Sequence, residues 1–72
     1  MMQDRVKEYK NSVLRCLMHK YDLSEFEANK AIRQSYLPDS LKNYPEETIH
    51  EDVETTADDV YYDYTHPVLM RM

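Results

Sequence analysis

The chain has 72 residues, no glycine, one cysteine and a formal net charge of −5. A domain this short buries only about 60% of the surface its unfolded chain exposes, so its core is small and a partner or second copy is a common supplement. Without glycine, phosphate-cradling loops, dinucleotide fingerprints and the nucleophile elbow cannot take their usual form.

The same composition suggests where the protein works. Cys16 has no partner for an intrachain disulfide, and a lone thiol suits a reducing compartment. Residues 1–10 carry Asp4, Arg5, Lys7 and Glu8 with no apolar run behind them, unlike a signal peptide. No stretch reaches the roughly 20 apolar residues of a membrane span. The expectation is one small all-α domain over residues 1–72, soluble and cytoplasmic. Tight turns would fall to Asn or Asp, since no Asn-Gly or Asp-Gly pair exists.

The first helix is expected from about Gln3 to Tyr21. Val6, Tyr9, Val13 and Leu17 recur at helical spacing, Leu14, Met18 and Tyr21 widen the stripe, and Lys7, Lys10, Arg15 and Lys20 lie mostly elsewhere. Ser24 followed by Glu27 forms a capping box for a second helix, and Leu23 is placed to staple onto Ala28. Ala28, Ile32 and Tyr36 make its apolar stripe, and Pro38 marks its stop by disfavouring helical geometry at Leu37. "PDSLKNYP" reads as a turn, with a short helical piece near residues 39–43 that points Leu41 inward.

The third helix is expected to run without interruption from Pro45 to Tyr64. Pro45 suits a first turn, and Glu46 and Glu47 suit the positive end of the helix dipole. Ile49, Val53, Ala57, Val60 and Tyr64 fall within an arc of roughly 80° on one face. The apolar tail "THPVLMRM" leaves at Pro67 and is expected to pack on the bundle. Three main helices then form a small bundle.

Charge divides the chain. Residues 1–42 hold eight Lys/Arg and six Asp/Glu, a net of +2, whereas residues 43–72 hold one Lys/Arg and eight Asp/Glu, a net of −7. On one wheel Glu47, Glu51, Glu54 and Asp58 gather opposite the apolar face, with Asp52, Asp59 and Asp63 along a flank and Tyr62 among them. Such a face either stays solvated or docks a basic partner, and an exposed aromatic among charges is a residue type enriched in interfaces. Imitation of nucleic-acid phosphates is a special form of the second reading, for which eight carboxylates fall short. Glu51→Lys and Asp58→Lys are expected to leave folding intact, since they relieve repulsion between neighbours four apart.

Other chemistry is thinner. Glu47-x-x-His50 has the spacing of a di-metal helix motif, with Glu54 as a further ligand, but one copy completes such a site only in a dimer. A simpler role for His50 is a hydrogen bond to Glu46 or Glu54. His19 and His66 stand alone, and Cys16 lies near the apolar stripe of the first helix as a structural thiol. No cofactor or metal is implied, and no catalytic group is assigned. A helix-turn-helix reading puts the acids in the groove-entering helix, where phosphates repel them. Its alternative is a small nucleic-acid-binding regulator that uses Arg5, Lys7, Lys10 and Arg15 of the first helix.

The expected function is a non-enzymatic interaction module or small regulator. It docks a basic partner protein through Glu47, Glu51, Glu54, Asp58 and Tyr62, or homodimerises through the first helix or the tail to enlarge the core.

Overall fold

Why the acidic segment is not one helix is answered by a single tyrosine. A computed structural model describes residues 2–66, whose elements are α1 (Met2–Lys20), α2 (Glu25–Gln34), α3 (Leu37–Asn43), α4 (Pro45–Thr48) and α5 (Val53–Thr65). An uninterrupted helix over residues 45–64 would bond the Thr55 amide to the Glu51 carbonyl. Instead the Thr55 amide donates to Asp52 Oδ2 at 3.0 Å, and the freed Glu51 carbonyl accepts from Tyr9 Oη at 3.1 Å. With its proton on Glu51, the Tyr9 hydroxyl receives that of Thr56, 2.6 Å away. Asp52 is extended, at φ −63° and ψ 130°, and caps α5. The Glu51 carbonyl and the Thr55 amide, parted by the break, therefore each have a new partner, which offsets the lost backbone bond in a partly buried place.

The remaining boundaries follow from local chemistry. The capping box at Ser24 forms as expected, with Glu27 N donating to Ser24 Oγ at 3.1 Å and Ser24 N donating to Glu27 Oε1 at 3.3 Å. Helix α2 stops at Gln34, before Pro38 can act. The Ser35 hydroxyl donates to the Ile32 carbonyl at 2.8 Å and accepts from Leu37 N at 3.1 Å, which turns the chain. Pro38 then sits in the first turn of α3, where its missing N–H costs nothing. Between α1 and α2, Asp22 takes φ 56°, a left-handed conformation that Asp tolerates better than most residues.

The all-α bundle has α1, α2 and α5 as its principal elements, each packed on the other two, with α3 leaning on α2 and α4. Its core is Tyr9, Val13 and Leu17 from α1, Ala28, Ala31 and Ile32 from α2, Leu37 and Leu41 from α3, and Ala57 and Val60 from α5. Ile49, Val53 and Tyr64 pack against this core half-buried, so the expected apolar face survives the break. Tyr36 does not join it. The chain turn at Ser35 sends Leu37 into the core at 0% exposure and leaves Tyr36 at 41%. The tail expected to dock, residues 67–72, lies outside the described residues. No described helix is long and apolar enough to cross a membrane.

Asp52→Ala separates the broken helix from the continuous one. In a continuous helix alanine is the better residue and the melting temperature holds or rises. Losing the cap of α5 costs about 1 kcal/mol instead. In a domain of this size that lowers the midpoint by roughly 4–8 °C in a thermal melt.

Candidate functional site

The break distributes the five sequence-chosen contacts over three places. Glu54 and Asp58 turn toward α1, where Lys20 Nζ donates to Glu54 Oε2 and to Asp58 Oδ1, each at 2.9 Å. Asp58 Oδ1 also accepts the Tyr21 phenol, and the Tyr21 ring stacks on Tyr61 with centroids 3.8 Å apart. The Tyr21 hydrogen bond first, and Lys20 second, hold Asp58 below its ordinary 3.8. Hydrogen bonds to Asp58 and then Glu54 raise Lys20 above its ordinary 10.5. The pair expected to repel is thus bridged by a cation that no pattern within residues 44–64 discloses.

Glu47 and Glu51 form the second group. They line a cleft of about 250 Å³ at the α3–α4 corner together with Asp59 of α5. Tyr36 and Tyr44 are its aromatic walls, and Ser40, Thr48, Thr55 and Thr56 supply hydroxyls. No Lys, Arg or His is among the residues that line it. Thr48 Oγ1 donates to the Tyr44 carbonyl at 2.6 Å and fixes that corner. Burial, then the charge of Asp59, pushes the Tyr36 phenol up, so it keeps its proton and can donate. Tyr44, at 62% exposure, is open to a visitor. A guanidinium or ammonium entering here meets carboxylates and π-faces together, whereas an anion is repelled.

Tyr62 lines neither group, although Asp58 and Asp59 lie one turn before it on α5. It is 61% exposed on the outer face of α5, with its ring over His66 at 4.3 Å. The other candidates are placed as follows. His50 Nδ1 donates to the Glu46 carbonyl at 2.6 Å, and among the described residues no group of three or more His, Cys, Asp or Glu could hold a metal ion. Cys16 is half-buried, and burial followed by the charge of Glu54 raises its thiol, which disfavours the nucleophilic thiolate. The basic residues of α1 do not share one surface: Lys7 and Lys10 line a groove with Lys42, while Arg5 lines a separate hollow beside Glu8 and His50.

Sequence reasoning missed Tyr36, Tyr44 and Asp59 as members of one site. The signals were Ser35, which ends α2 one turn early, and the Asp52–Thr55 capping pattern within the acidic run. Comparison with protein-family models, with curated proteins and with solved structures gives no match to this chain.

The two acid-to-lysine substitutions now part company. Asp58→Lys sets a second cation against Lys20 and removes the Tyr21 acceptor, so its melting temperature falls by several degrees at pH 7. Glu51→Lys, at an exposed side chain whose carbonyl alone binds Tyr9, changes it little. Because Asp58 titrates lower in the folded state, its contribution is full above about 3.8 and is lost as pH falls through the folded value. The deficit of Asp58→Asn in a thermal melt therefore shrinks steadily as pH drops below that point.

Proposed function

We propose that this chain is a non-enzymatic protein-binding module, a small regulator that seats a basic segment of a partner in the Tyr36–Tyr44 cleft. The observation that carries this reading is the conjunction of Glu47, Glu51 and Asp59 with two exposed tyrosines in a concavity without a cation. Arginine suits it better than lysine, since a planar guanidinium stacks on an aromatic ring while its N–H groups bond carboxylates. Glu54 and Asp58 are spent on Lys20 and support the site by fixing α5 to α1. The charge of the cleft would speed association at low salt and release the partner at high salt.

Amide chemical-shift titration with a short arginine-rich peptide tests this, with a glutamate-rich peptide as control. Expected are shifts clustered at residues 36, 44, 47, 51, 55 and 59, lost in a Glu47→Lys, Glu51→Lys double variant and suppressed by salt. Shifts scattered over the surface, or equal shifts with the acidic peptide, contradict the reading. Retention on a heparin column at low salt would instead favour the nucleic-acid alternative.

A further inference from the structure

The opposite sign of charge has its own concavity. A groove of about 590 Å³ lies between the first half of α1 and the α3–α4 corner. Val6, Leu41 and Pro45 give it an apolar floor, and Lys7, Lys10 and Lys42 surround it, with no carboxylate in the lining. The ion pairs within 4.0 Å among the described residues belong to Lys20, so none of these three lysines is neutralised there. An apolar floor inside a cationic rim fits an aromatic side chain carried among carboxylates.

The molecule exposes such a side chain. Phe26 fits less well, because Glu25 and Glu27 adjoin it but Lys30 and Arg33 follow one and two turns on and would meet the three lysines. Tyr36 and Tyr44 wall the acidic cleft, and Tyr44 sits on the corner that the groove itself borders. Tyr62 remains: α5 carries no Lys or Arg, Asp59 lies one turn before it and Asp63 beside it, and its ring stacks on His66. It points away from the buried Thr56, Ala57 and Val60. It cannot reach the groove of its own chain. Its neighbour Tyr61 stacks on Tyr21 beyond the end of α1, and the stretch of α1 from Lys10 to Lys20, about 15 Å long, lies between.

We propose that Tyr62 of one copy inserts between Lys7, Lys10 and Lys42 of a second copy, a head-to-tail contact. Ring and floor exclude water, while Asp59 and Asp63 face the lysine rim. The contact joins two different patches, so each added copy leaves one of each free, and the assembly extends or closes into a ring rather than stopping at a symmetric dimer. One ring and a charged rim make a contact below the range of stable interfaces, so the association is weak, concentration-dependent and weakened by salt. It is independent of the acidic cleft apart from the shared Asp59, which the test leaves untouched.

Sedimentation equilibrium at low salt is the test. The wild type is expected to rise with concentration from the monomer mass of 8.7 kDa past twice that value, and to return to it at high salt. Tyr62→Ala, and a triple variant of Lys7→Glu, Lys10→Glu and Lys42→Glu, each stay at monomer mass with their circular dichroism unchanged. Mixed in equal amounts, the two restore a single contact and reach twice the monomer mass but no more. If the triple variant unfolds, Lys10→Glu alone takes its place in the mixture. Phe26→Ala behaves as wild type, and so does the Glu47→Lys, Glu51→Lys variant that disables the cleft. A wild type that stays monomeric, a mixture that stays monomeric, or loss of association with Phe26→Ala but not Tyr62→Ala overturns the proposal.

Discussion

The hydroxyl of Tyr9 is the point on which the bundle turns. It lies on the buried face of α1, and it binds the Glu51 carbonyl, which the break parts from the Thr55 amide, and the hydroxyl of Thr56 in the first turn of α5. A phenol in the core demands polar partners, since an unpaired buried hydroxyl costs on the order of 1–3 kcal/mol. A carbonyl exposed by a helix break makes the same demand. Each answers the other, and Asp52 answers the Thr55 amide. Among the described residues no buried side-chain nitrogen or oxygen lacks a partner.

Two consequences follow for the acids. The break sets Glu47 and Glu51 off the wheel of α5, so they face Asp59 across a cleft instead of continuing a row with Glu54 and Asp58. It also lets α5 lie against α1 with Tyr9 near Thr56 and Tyr21 near Tyr61, which brings Lys20 between Glu54 and Asp58. Negative charge is therefore sorted by the fold into a part that holds helices together and a part that looks outward. The net charge of −5 understates the contrast, because Lys7, Lys10 and Lys42 gather on a different surface.

Much of the fold was legible in the sequence, and the reason is periodicity. The stripe from Tyr9 through Val13 to Leu17 is buried, and the capping box at Ser24 reads directly as a helix start because both partners are local. The apolar positions Val53, Ala57 and Val60 were recognisable for the same reason. The break was not, since its decisive partner, Tyr9, is more than 40 residues away from Glu51 and Thr56. Asp52 within an acidic run looks like one more helical carboxylate until Thr55 is seen as its capping target. The candidate site suffered accordingly. Glu47 and Glu51 were found as acids, but their companions Tyr36 and Tyr44 depend on the turns at Ser35 and Pro38, and Lys20 reaches Glu54 and Asp58 only through helix packing.

The broken helix depends most directly on that long-range pair. A double-mutant cycle with Tyr9→Phe and Thr56→Val, followed by chemical denaturation, measures it without touching any outward-facing charge. The break described here requires the two side chains to act as a unit, with a coupling energy of about 0.5–3 kcal/mol between them. Additive effects, within about 0.3–0.5 kcal/mol of zero coupling, would mean that Tyr9 does not engage Thr56, and the cleft that rests on the broken helix would lose its foundation.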